Sequence, residues 1–155
     1  MTAIYVDADA CPVKDEVIRV AERHGVTVHI VSNGGIRPYR EAFVKTVIVP
    51  HGPDIADDWI AGRAGIGDVV ITADIPLAAR CLENKAHVLS HTGKPFEAAS
   101  IGTRMAMRDL NAHLRETGEI SGYNPGFTPN DRSQFLNMLE NTVRAARLSE
   151  PDKTG

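Results

Sequence analysis

Five apolar, largely β-branched runs punctuate the first part of the chain: AIYVDAD at 3–9, VTVHIVS at 26–32, TVIVP at 46–50, DVVITAD at 68–74 and HVLS at 87–90. AIYVDAD, a continuous apolar run ending at polar residues, has the pattern of a short buried strand, and the other four runs read as further strands of a parallel sheet. Helical segments lie between them. Pro12 opens one through VKDEVIRVAERH, stopped by Gly25. PDIADDWIAGRA forms a second, ended by Gly65 and Gly67, and PLAARCLENK a third. NGGIRPYREAF, at 33–43, reads as a loop. Strands and helices alternating at this spacing predict βαβ units with right-handed crossovers. The pattern then changes, to a long helix over Ala98–Glu116, the loop TGEISGYNPGFTPN and a second helix at about 131–148. The expected organisation is one α/β domain over 1–148, with a core at about 1–96, a C-terminal helical pair at about 97–148 and a flexible tail at 149–155.

The bulk composition narrows the function classes. The chain has 155 residues, 43% of them hydrophobic, and a net charge of −3, so bulk electrostatics do not suit it to coating nucleic acid. No apolar run approaches the roughly 18 residues of a membrane span, and no basic leader precedes an apolar stretch. Two cysteines, Cys11 and Cys81, provide neither a disulfide framework nor a four-thiolate zinc site, and a reducing cytoplasm is the expected location. Residues 1–93 hold nine Lys/Arg against twelve Asp/Glu, and the remainder eight against eight. The acidic excess therefore lies in the sheet-forming part.

That excess is where the chemistry is expected. Asp7 closes the first strand and Asp74 the fourth, and in open parallel sheets ligands bind beyond the carboxyl ends of the strands. Asp9, two residues past Asp7, points to the same side of an extended chain. Asp54, Asp57 and Asp58 open the second helix, where offsets of three and four share a face. Carboxylates gathered in this way raise one another's pKa or take a counter-cation, and oxygen donors suit Mg²⁺ or Mn²⁺. Such ions activate water and stabilise an in-line phosphoryl displacement, which points to phosphodiester hydrolysis. Simpler roles compete. Asp54 and Asp74 both stand where an N-cap belongs, Asp9 is placed to cap the helix at Pro12, and Asp58 suits a solvated helix face.

YVDADACPVK, DIADDWI and GDVVITADIPLAA, with LRETGEISG and NDRSQFLNMLE further on, closely resemble the YaiI/YqxD family of bacterial proteins. That family is remotely similar to the PIN-like nuclease superfamily, which implies a three-layer domain with a mainly parallel sheet. It also implies an acid at the first strand end and a T-x-D motif at a later one, around Mg²⁺ or Mn²⁺. Carried over, the resemblance makes Asp7, Asp57 and Asp74 metal ligands. Asp7, Asp9 and Asp74 become the catalytic set, with Asp9 orienting or activating water and RNA as substrate.

Two other readings are carried alongside. DADAC fits the D-x-D of haloacid-dehalogenase-type phosphatases, with Asp7 as nucleophile and Asp9 as acid/base, although GDVVITAD supplies their late acidic pair incompletely. A non-catalytic RNA- or protein-binding module is the other. Asn33, Arg37 and Arg40 follow the second strand and are candidate substrate contacts. Arg104, Arg108 and Arg115 share a stripe suited to a nucleic-acid path or to solvent. His51 and His91 follow strand ends, where loop histidines are usually just solvated. Cys11, near a helix start with Lys14 beyond it, is read as packed rather than nucleophilic, and Cys81, Trp59 and Phe135 as core. Asp131, with Gln134 three residues on, reads as a capping box.

Overall fold

A computed structural model describes residues 2–8, 11–34, 38–52, 54–103, 105–107 and 128–149. Its strands are β1 (Ala3–Asp7), β2 (Thr27–Ser32), β3 (Val44–Ile48), β4 (Val69–Ile71), β5 (His87–Leu89) and β6 (Pro95–Phe96). They form one sheet in the order β3-β2-β1-β4-β5-β6, parallel throughout except where β6 runs against β5. The helices are α1 (Lys14–His24), α2 (Ile55–Ala61), α3 (Ile75–Glu83) and α4 (Pro129–Ser149).

The continuous apolar runs of β1, β4 and β5 are explained by burial on both faces, whereas the edge strand β3 is only partly buried. Ile4, Val6, Val28 and Ile30 point to one side, where Val17 and Ala21 of α1 and Phe135, Leu139, Val143 and Ala146 of α4 meet them. Tyr5, Val31, Val70 and Val88 point to the other, against Ile60 of α2 and Leu77 and Cys81 of α3. The result is helices, sheet, helices in three layers. Cys11 and Cys81 are packed residues, as expected, and burial holds the Cys11 thiol up at about 11, so it stays protonated.

Several boundaries differ from the sequence expectation for physical reasons. α1 starts at Lys14, after a turn at residues 12–13, and ends as foreseen on Gly25 at φ 66. A sixth strand, β6, exists because the Ser90–Lys94 turn reverses the chain. There Ser90 Oγ accepts the N–H of Lys94 at 3.1 Å. Two residues are too few to register as a pattern. The helix expected from Ala98 is delayed to residue 101 by a turn in which the Ser100 N–H donates to the Glu97 carbonyl at 3.1 Å. Arg104, Arg108 and Arg115 of that helix lie outside the described residues, as do Asp9 and Arg37.

The capping box of α4 is real, but its members are shifted. The Thr128 hydroxyl accepts the Asp131 N–H at 3.1 Å, and Asp131 Oδ2 accepts the Thr128 N–H at 3.0 Å. Thr128 is therefore the cap and Asp131 its reciprocal partner three residues on. α4 runs parallel to α1, since Arg132 pairs with Glu16 at 3.0 Å and Arg23 with Glu140 at 3.2 Å, stepping forward along both helices.

Candidate active site at the carboxyl end of the sheet

The strand order creates the site. The chain builds outward from β1 through β2 to β3, then returns to place β4 on the other flank of β1. β1 and β4 thus bracket the topological switch point, the place where open α/β sheets leave a crevice beyond their carboxyl ends. Val6 is paired with Ile71, so the next residues along, Asp7 and Thr72, come together.

Strand-end hydroxyls shape the loops there. Ser32, Thr72 and Ser90 are all buried, and each accepts the N–H two residues on. The donors are Gly34 at 3.1 Å, Asp74 at 3.0 Å and Thr92 at 3.3 Å. Side chains that satisfy backbone donors in this way fix a turn that a helix or sheet ladder does not provide. Thr72, 2% exposed, does one thing more: its hydroxyl donates to Asp7 Oδ2 at 3.0 Å. One side chain therefore orients the carboxylate closing β1 and the backbone presenting Asp74. In the Thr72→Val protein, loss of this bridge is expected to cost about 1–2 kcal/mol in urea unfolding. Thr72→Ser should remain within about 0.5 kcal/mol of the native protein if the hydroxyl, rather than the methyl, is what matters.

Asp74 is a genuine N-cap, its Oδ1 accepting the Leu77 N–H at 3.0 Å with Pro76 in the first turn of α3. Asp54 occupies the cap position of α2 but makes no side-chain cap bond, and its backbone is left-handed at φ 63. Asp tolerates that conformation at modest cost, and strain of this kind gathers at functional sites. Asp58 is 65% exposed and pairs with Arg80 at 2.7 Å, so it serves the surface, as its solvated reading required.

Asp57 faces inward. Its carboxyl is pushed up to about 6, first by burial and then by Asp74, Asp7 and Asp54, with Arg80 opposing. Acids delivered by β1, α2 and the turn after β4 therefore feel one another's charge. Because this value lies above the ordinary carboxylate range, ionisation is disfavoured in the folded protein, and stability falls as pH rises through about 6. Asp57→Asn is expected to melt a few degrees above the native protein at neutral pH and to lose that advantage near pH 4, as read by thermal denaturation.

The donor chemistry, carboxylate oxygens from three elements that feel one another's charge, fits a hard divalent cation. Asn33 Oδ1, at the carboxyl end of β2, is also buried with no hydrogen-bond partner among the described residues. Among those residues no three His, Cys, Asp or Glu side chains stand close enough to hold a metal by themselves. Mg²⁺ commonly takes only one or two carboxylates and completes its shell with water and substrate phosphate.

Arg40 is exposed on the stretch leading to β3, and His51 is exposed. Asp68 is a structural residue at the amino end of β4, where Oδ1 accepts the Ala3 N–H at 3.1 Å and Oδ2 the Gly65 N–H at 3.0 Å. It is at the opposite end of the strand from Asp74, so the two do not form the late acidic pair a D-x-D phosphatase needs. Sequence reasoning missed that role, although an Asp immediately before a buried strand is a visible hint.

No helix among the described residues is long and apolar enough to cross a membrane. Residues 5–145 match the family described as "Uncharacterized BCR, YaiI/YqxD family". A UPF0178 protein of Parvibaculum lavamentivorans is 63% identical over 151 residues, covering 97% of this chain and 99% of the relative. One from Rhizobium etli is 58% identical over 144 residues, covering 93% of each chain. One from Rhodopseudomonas palustris is 50% identical over 153 residues, covering 99% of this chain and 97% of the relative. No solved structure matches. With nearly its whole length matched, this chain belongs to the uncharacterized bacterial YaiI/YqxD family.

Proposed function

We propose that this protein is a divalent-metal-dependent phosphodiesterase, a nuclease of the PIN-like kind acting on RNA. The observation that carries the reading is the Thr72 bridge: one buried hydroxyl joins the acid closing β1 to the turn presenting Asp74, at the switch point of the sheet. The same T-x-D arrangement beside a first-strand acid is what the PIN-like resemblance leads one to expect. In this reading Asp7, Asp57 and Asp74 would hold Mg²⁺ or Mn²⁺ only together with bound water and substrate phosphate, one or two of the carboxylates meeting the ion directly. The ion supplies a water of lowered pKa and neutralises charge developing on the phosphate.

The chain's own residues do the rest. Thr72 fixes the orientation of Asp7, and α3 fixes that of Asp74 through the cap. Asp57 is held above the usual carboxylate range by burial and by its acidic neighbours, which favours loading with a cation at neutral pH. Asp9 orients or activates the attacking water, and Asn33, Arg37 and Arg40 meet the substrate. The protein acts in the cytoplasm.

The test is cleavage of single-stranded RNA in Mn²⁺ by the native protein and by Asp7→Asn purified in parallel. Cleavage by the native protein alone supports the reading. Equal cleavage by both identifies a contaminant, and no cleavage by either removes the nuclease assignment.

A further inference from the structure

At the opposite end of the sheet, α1 and α4 finish side by side. Helices of βαβ units return to the amino ends of the strands, and α4 runs parallel to α1, so both last turns lie there. Between them lies a shallow, largely open depression of about 530 Å³ lined by His24, Arg144, Arg147 and Leu148. We infer that this depression is a second ligand site, one that takes a phosphate-bearing small molecule of nucleotide size.

Charge is the first argument. Glu140 stands at the centre and receives Arg23 at 3.2 Å, His24 at 3.0 Å and Arg144 at 3.3 Å. Arg147 instead donates to the His24 carbonyl at 3.2 Å. Two guanidinium groups and an imidazole thus meet one carboxylate, with the Arg147 guanidinium on the His24 carbonyl beside them, leaving a positive excess. A lone basic residue in a last turn complements the helix dipole, but convergence of this many cations exceeds that need. Arg23 and Arg144 keep 58% and 66% of their side chains exposed. A guanidinium carries five N–H donors in a fork that matches phosphate oxygens. Glu140 holds the forks in place, so an incoming phosphate meets donors already oriented.

Size and lining are the second argument. The volume falls in the range of small-molecule sites and far exceeds a bare phosphate. Leu148, 88% exposed on the rim, and the His24 ring, whose side chain is 11% exposed, offer apolar surface to the remainder of the ligand. Nothing here draws on the acids at the carboxyl end, so the inference stands or falls separately from the nuclease reading.

The experiment is titration with adenosine monophosphate, inorganic phosphate and adenosine, followed by calorimetry and by the histidine imidazole resonances in NMR. The monophosphate is expected to shift the His24 resonance saturably, inorganic phosphate to compete more weakly, and adenosine to leave it unmoved. Affinity should fall at least about tenfold in the variant carrying Arg144→Gln and Arg147→Gln, and in Leu148→Glu, whose exposed site leaves folding intact. Asp7→Asn should bind as the native protein does, which separates this site from product binding at the acids. An unmoved His24 resonance at millimolar ligand, undiminished affinity in both variants, or adenosine binding as tightly as its monophosphate would overturn the inference. So would a monophosphate that binds no better than inorganic phosphate, since the depression would then select only the anion.

Discussion

Asp74→Asn is expected to reduce RNA cleavage by about a hundredfold or more while leaving the melting temperature close to the native value. The two roles of this residue are separable because they use different properties of the side chain. As a cap, Asp74 needs only an oxygen that accepts the Leu77 N–H, and asparagine supplies one. As a member of the acid cluster it needs negative charge, which asparagine lacks. Asp74→Ala removes both and should also cost about 1 kcal/mol of stability, or a few degrees of melting temperature. Cleavage assays and thermal melts on the pair decide the matter. If the asparagine variant cleaves as well as the native protein, Asp74 is a cap and nothing more.

Phe135→Ala is expected to cost roughly 3–5 kcal/mol in urea unfolding, a large share of the ~5–15 kcal/mol that holds a domain of this size together. Phe135 is fully buried and leads the stripe Leu139, Val143 and Ala146 with which α4 covers the sheet face beside α1. Its backbone is also a close neighbour of the turn beyond β5. A Cβ built on Gly93, at φ +87, would come within 2.9 Å of Phe135 Cα and of the Gln134 carbonyl oxygen. Little room therefore exists for the surroundings to collapse into the space left by the ring, and a cavity that does not collapse keeps its full cost. A loss below about 1 kcal/mol would mean that α4 does not seal this face.

The parallel sheet was legible because strands buried on both faces must be continuously apolar, and β1, β4 and β5 each read that way. Strand order was not legible. Periodicity says nothing about neighbours, so the meeting of Asp7 with the Asp74 turn rested on assuming that the first and fourth strands pair, as they do. Thr72 showed in the sequence only as part of a T-x-D pattern. Its double hydrogen bond needs the register that sets Val6 against Ile71. The cap at Asp74 was visible from Asp before Ile75–Pro76, whereas the left-handed Asp54, at φ 63, follows from a loop path that local propensity does not encode. Thr128 was passed over for Asp131 because both are good caps three residues apart, and only the hydrogen bonds assign their order.

Mn²⁺ binding measured by calorimetry, on the native protein and on Asp74→Asn, tests the central claim most directly. Saturable heat in the native protein, lost in the variant and unaffected by Leu148→Glu at the far end of the sheet, is the expected result. No heat in the native protein, either alone or with a short RNA oligonucleotide to complete the coordination shell, would contradict it and leave these aspartates as helix caps and strand ends.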